Sequence, residues 1–318
     1  MKLQIDYFQP EQRQMWDSFV ESSNNPLFFF KRSFIESQTS SVQEKSLCVF
    51  SDDKLCALLP GSISNDTYFS YGGLTYGGLI LPTDSRNFEI KAILQEVIRF
   101  LSRQKFKFFL YKPVPFFFQR RIKSDDTHFL WAIGALSKRR ELTSVIDLRQ
   151  PIVYSKGRRS SVSKAKKFFH GISEVENTDE IYFLLESVLE KNHGVKPVHS
   201  KENLNYIKKV FPQNVHFFCV KDGQNIVSLA IVFDFGDVFH AQYLATSEEG
   251  KQHGALDFLL DALIHKALDQ EKKYFSFGIS TEHAGKVVND GLILQKESFG
   301  SFSATLETLE VCLSNEVI

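Results

Sequence analysis

Long apolar runs are missing from this sequence of 318 residues. No window approaches the roughly 20 apolar residues needed to cross a bilayer, so no integral membrane association is expected. The opening Met-Lys-Leu-Gln-Ile-Asp-Tyr lacks the unbroken apolar core of a secretory leader. Cysteine is scarce: Cys48, Cys56, Cys219 and Cys312 show no CxxC spacing and mostly fall in apolar strand patterns. They read as free thiols, which fits a reducing compartment and a cytoplasmic location. The nine histidines fall at no metal-ligand spacing, so no metal is expected. HExxH, GxSxG, Walker and EF-hand patterns are absent, and hydride and phosphoryl transfer lack their usual sequence supports. An excess of one charge is missing too. Because 38 basic residues balance 38 acidic ones, no global field draws the chain to DNA or an anionic membrane.

What is abundant is phenylalanine, at 31 residues. Most of these rings belong in a core, since each removes a large apolar area from water. In the triplets Phe28-Phe29-Phe30 and Phe116-Phe117-Phe118, the alternating faces of a strand predict that some rings line a cleft. Charge is locally uneven. Residues 103–123 carry seven basic side chains and residues 156–167 carry six, with no acid in either stretch. Such stretches suit a phosphate-facing groove, with Arg158, Arg159 and Lys164 as substrate-binding candidates.

The chain also repeats itself. An apolar strand, polar turn and apolar strand from Cys48 are echoed from Cys219. Each copy continues through a Tyr- and Gly-bearing segment into an amphipathic helix, at residues 88–103 and 255–270. Each then closes on a lysine-led aromatic strand, Lys105-Phe106-Lys107-Phe108-Phe109 and Lys272-Lys273-Tyr274-Phe275. Matching order at matching spacing predicts one αβ unit used in tandem, with a ligand cleft between or within the copies. The expected domains are 1–150 and 151–318, divided at residues 149–155, with the last strand free to pack back on the first domain. In the Gly-rich stretch of residues 71–79, Tyr71 and Tyr76 are candidates for a substrate-contacting loop.

The candidate chemistry lies in the second copy. On the strand Phe239-His240-Ala241-Gln242-Tyr243-Leu244, alternation predicts that His240 and Gln242 share one face and Tyr243 takes the other. The turn through Lys251, Gly254 and Ala255 opens the helix, whose free N–H groups and dipole suit an anionic donor group. A strand end, Phe277-Gly278-Ile279-Ser280, leads to Glu282, Asn289 and the run Lys296-Glu297-Ser298-Phe299-Gly300.

This order of motifs resembles the Fem-type branch of the GNAT acyltransferase superfamily, in which two GNAT units sit in tandem. The resemblance rests on the basic helix from Arg158 to Lys167, Gln242-Tyr243, Phe277-Gly278-Ile279-Ser280 and Lys-x-x-Phe-Gly at Lys296. It covers about half the chain, roughly residues 155–300. It implies an α+β fold of two units, each a mixed, mostly antiparallel sheet flanked by helices. It also implies transfer of an acyl or aminoacyl group to an amine, often on an envelope-polymer precursor. The donor would be acyl-CoA or aminoacyl-tRNA, with no tightly bound cofactor. The acceptor would be a small molecule or nucleotide sugar. Lys296 would correspond to a lysine that stabilises the developing oxyanion. The diphosphate-binding pattern Arg/Gln-x-x-Gly-x-Gly/Ala departs here at both ends, as Lys251-Gln252-His253-Gly254-Ala255-Leu256, which weakens the case for CoA.

Two functions compete. In an acyltransferase, Lys296 serves the oxyanion, His240 or Glu282 accepts the amine proton, and Tyr243 positions the acceptor or protonates the leaving group. Gln242, Ser280 and Asn289 then contact substrate. Alternatively, the fold is kept without catalysis and binds an anionic sugar nucleotide or RNA through its basic segments.

Overall fold

A computed structural model describes residues 2–38, 42–70 and 73–313 of the chain. Two compact units emerge. The first comprises the residues up to Glu141, Ala284–Lys286 and the residues from Thr305 on; the second comprises Leu142–His283 and Val287–Ala304. The division falls inside the strand Leu136–Asp147, whereas the sequence places it after that strand. Among the described residues, no helix is long and apolar enough to cross a membrane.

The second unit holds the catalytic candidates. Its strands follow the order residues 142–147, Tyr274–Ile279, Val238–Thr246, Asn225–Asp234, Val215–Asp222 and Ser173–Glu174. Val227 to Phe233 are buried without a break, the mark of a central strand covered on both faces. Val215–Asp222 and Asn225–Asp234 form an antiparallel hairpin. Val238–Thr246 then crosses through the helix Ala255–Asp269 to the parallel strand Tyr274–Ile279. That helix buries Ala255, Leu259, Leu263, Ile264 and Ala267, spacings that keep one apolar stripe on the sheet. The sequence pattern predicts a basic helix from Ser160 to Phe169; it runs instead over Lys156–Ala165 because Ser155 caps it, its Oγ accepting from the Arg158 N–H at 3.1 Å.

The first unit repeats this plan over a divided sheet. Leu47–Ser51 and Lys54–Leu59 form the hairpin, but join Leu3–Tyr7 in a separate three-stranded sheet. Thr67–Phe69 crosses through the helix Asn87–Arg103 to parallel Phe108–Tyr111, which pairs with residues 309–312 of the last strand. Each crossover leaves three parallel pairs, Thr67 to Phe69 in this unit and Val238 to His240 in the other. The expectation for the phenylalanine triplets fails. Both are single 3-10 turns, Phe28–Phe30 and Phe116–Phe118, so strand alternation does not apply. Five of the six rings are buried, and Phe116 is nearly so.

Candidate active site

The site grows from a parallel pair that stops early. Val238 to His240 pair with Tyr274 to Ser276, and beyond His240 and Ser276 the two strands separate. Each has an extra residue just past that point. Ile231 faces Tyr243 and Val232 faces Ala241, leaving Gln242 without a cross-strand partner. On the neighbour, Ser276 faces Val145 and Gly278 faces Ser144, leaving Phe277 unpaired. Such bulges bend a strand and re-aim its side chains. Gly278 takes the left-handed conformation, φ 74°, which L side chains rarely adopt. The mouth between the strands is therefore written into the backbone.

Lys296 closes this mouth. It lies in the last turn of the helix Asp290–Glu297, and the Asn289 side-chain oxygen caps the other end by accepting from the Leu292 N–H at 3.0 Å. The Lys296 side chain is buried, and Nζ donates to the Gly278 and Ile279 carbonyls at 3.1 and 2.6 Å and to Ser280 Oγ at 2.7 Å. An ammonium has three hydrogens, so the grip is complete. Burial alone pushes its pKa down to about 8 from 10.5. The group stays cationic at neutral pH in surroundings that penalise its charge.

A polar seam runs from this cation across the bulged strand. His240 Nδ1 lies 3.0 Å from Ser276 Oγ. Burial, reinforced by the charge of Lys296, holds His240 at about 4, while a hydrogen bond with the Gln242 side chain opposes the shift. The Gln242 side chain also bonds Tyr243 and favours its ionised form. The Gln242 side chain thus lies between His240 and Tyr243. The Tyr243 hydroxyl then meets His199, at 2.8 Å from Nδ1 and 3.2 Å from the backbone N–H. Burial lowers His199 to about 4 as well. The expected separation of Tyr243 from His240 and Gln242 is corrected here. The bulge interrupts alternation, and Gln242 bridges both neighbours.

Ser280 joins the Lys296 grip, while the other sequence candidates fall elsewhere. Glu282 is exposed and accepts from Asn289 Nδ2 at 2.7 Å, so these two brace one loop. Arg158 is engaged within the fold: it ion-pairs with Asp257, donates Nε to Ser298 Oγ at 2.8 Å and stacks on Phe299 at 4.3 Å. Lys164 is exposed, and Arg159 lines a separate cavity. Tyr76 is a core ring of the first unit, packed on Phe29 and Phe118 at 5.3 and 4.9 Å. Tyr71 lies outside the described residues.

At the helix start, Lys251 is paired with Glu248 at 2.9 Å. Gly254, φ 72°, kinks the chain between two helices, and Ala255 is fully buried. A Cβ on Gly254 would touch Ala165 at 3.4 Å, so this glycine serves the helix Lys156–Ala165. Glu248 and Glu249 occupy the first turn of the short helix before it. His199 was not legible as a site residue, because it sits in a connecting segment after Pro197 with no spacing that ties it to Tyr243.

Residues 157–284 match the acetyltransferase (GNAT) domain family. No curated protein sequence matches the chain. Among solved structures, FemX superposes with a TM-score of 0.69 at 12% identity, covering 97% of each chain. L-PGS from Bacillus licheniformis gives 0.60 at 12% identity, over 95% of this chain and 91% of its own. A tandem GNAT protein from the clavulanic acid biosynthesis pathway gives 0.53 at 10% identity, over 99% of this chain and 100% of its own. At such identities the likeness is one of fold, and it extends over both units. The chain thus carries a match to the acetyltransferase (GNAT) domain family at residues 157–284, within a fold that FemX and the tandem GNAT protein share over both units.

Proposed function

We propose that this protein is an acyltransferase that moves an acyl or aminoacyl group from an activated ester or thioester onto the amine of an amino sugar or cell-envelope precursor. One observation carries the reading: a desolvated ammonium, Lys296, fixed at the mouth between diverging strands. A neutral amine attacks the donor carbonyl, the C–N bond forms and the carbonyl oxygen becomes an oxyanion. Lys296 stabilises that charge, exchanging its longest bond, 3.1 Å to Gly278, for the new oxygen. As the adduct collapses, the C–O or C–S bond breaks, and the amine proton ends on the leaving group through water at the mouth.

In this reading two roles differ from those the sequence suggested. His240, held at about 4, is neutral at pH 7 and a weak base, so it orients the mouth through Ser276 and Gln242. Tyr243 accepts from the His199 N–H and also bonds His199 Nδ1, so it acts as a positioning residue.

The helix start favours an aminoacyl ester over CoA. Glu248 and Glu249 would repel a diphosphate, and Gly254 is covered by Ala165. The exposed cations of the helix Lys156–Ala165, such as Lys164, suit the phosphates of an aminoacyl-tRNA. The names FemX and lysylphosphatidylglycerol synthetase belong to proteins of the same fold and lend the envelope assignment its context. The test is intact-mass analysis of amino-sugar and envelope-precursor acceptors after incubation with an aminoacyl-tRNA pool or an acyl-CoA pool. A mass gain with the tRNA pool is expected. Gain only with acyl-CoA overturns the donor assignment, and binding without any gain overturns catalysis.

A further inference from the structure

A cavity of about 800 Å³ in the second unit contains none of the Lys296 cluster. One wall is the segment from Gln150 to Tyr154; the other is formed by the helices Lys156–Ala165 and Ala255–Asp269. The segment after Pro151 runs without helix, turn or bend as far as the Ser155 cap. Along an extended chain, the N–H and C=O of successive residues face opposite edges. On one edge, the Ser155 N–H donates to the Ser298 carbonyl at 2.9 Å, and the Val153 backbone lies beside Gly300. A Cβ on Gly300 would lie 3.2 and 3.3 Å from the Val153 oxygen and nitrogen. Ile152 and Tyr154 therefore present their N–H and C=O groups on the opposite edge. Among the described residues these groups make no hydrogen bond.

The surrounding chemistry points the same way. The Tyr154 hydroxyl is buried and turned toward the Asp261 carboxylate; burial, together with that carboxylate, holds its proton on. Asp261 is buried and neutralised by Lys166 at 2.9 Å, with His265 Nδ1 donating to the Asp261 backbone carbonyl at 2.8 Å. Arg159 makes no side-chain ion pair among the described residues, which leaves the cavity with an excess positive charge. Val162 and Leu268 supply apolar wall, and the volume lies within the ordinary range for a ligand site.

We infer that this cavity binds an extended peptide that carries a carboxylate. The peptide pairs as an added strand with the Ile152 and Tyr154 edge, and its carboxylate meets Arg159. Main-chain bonds would give affinity and the Tyr154 hydroxyl one point of selectivity. The probe is N-acetyl-tetra-alanine with a free C-terminal carboxylate, titrated at millimolar concentration into the ¹⁵N-labelled full chain. The expected result is a saturating shift of the Ile152 and Tyr154 amide signals. Binding should weaken roughly fivefold, the scale of one hydrogen bond, when the probe is N-methylated at the pairing residues. A similar loss is expected for the C-terminal amide probe and for Arg159→Ala, whose exposed side chain makes unfolding an improbable confusion. No shift at either amide, or equal binding of the N-methylated probe, overturns the proposal. Tyr154→Phe separates the hydroxyl from the strand edge: retained shifts with weaker binding are expected, and loss of both shifts in a folded variant counts against edge pairing.

Discussion

Replacing Lys296 with methionine keeps most of the unbranched side chain and deletes its charge. The fold pays for that charge at present. A pKa lowered from 10.5 to about 8 corresponds to about 3 kcal/mol of preference for the neutral form, at 1.36 kcal/mol per unit. The sign follows from linkage. The unfolded chain binds the proton more tightly, so the penalty is fully present below pH 8 and lifts as pH rises from 8 to 10.5. Wild type should thus gain about 2 kcal/mol of unfolding free energy relative to Lys296→Met between pH 7 and 10. Near pH 7 the variant is relieved of the buried charge but leaves the Gly278 and Ile279 carbonyls and Ser280 Oγ short of a donor. These effects are similar in size, so net stability should change little. Catalysis should not be spared: kcat/KM is expected to fall about 100-fold or more, the scale of losing one oxyanion donor. Urea titrations across this pH range and initial rates on the acyl-transfer reaction check both halves. Undiminished turnover in a folded variant would refute the electrostatic role, and parallel pH–stability curves would refute the buried-cation account.

Tyr243→Phe should destabilise the second unit by about 1–3 kcal/mol, since Gln242 and His199 lose a shared partner; unchanged urea stability would break the seam apart. His199 and His240, both near 4 against 6.5 when unfolded, should make the protein acid-sensitive, losing about 2 kcal/mol each as pH falls from 6.5 to 5. Loss that persists in the His199→Gln, His240→Gln double variant would assign it to other groups. Gly250→Ala should cost about 1–3 kcal/mol through overpacking, because the added carbon would lie 2.3 Å from the Val227 carbonyl oxygen and 2.7 Å from Thr246 Oγ1. A melting temperature equal to wild type would contradict it. Asn289→Ala removes a helix cap and should cost about 1 kcal/mol, measured by thermal unfolding; no loss would show that the cap is dispensable.

Much of the fold was legible because repeats and apolar spacing record it directly. The echo from Cys48 and Cys219 corresponds to a hairpin in each unit, and the helices at residues 88–103 and 255–270 became the crossovers Asn87–Arg103 and Ala255–Asp269. The candidate site was legible only in part. Lys296, Ser280, His240 and Gln242 gather at one mouth, but nothing in a strand-like sequence announces an extra residue at Gln242 or Phe277. Without those bulges, alternation sends Tyr243 the wrong way. Arg158 shows the opposite error. A cation in a basic run reads as a phosphate contact, although Asp257, Ser298 and Phe299, distant in sequence, have already claimed it.

That arginine has a consequence of its own. It rivets the start of one helix to the first turn of a second and to the two residues that follow the tip of a third, the helix bearing Lys296. Drift in any of the three would be transmitted to the placement of the ammonium. A chemical group that must hold its position to within fractions of an ångström is thus anchored by a side chain that never meets substrate.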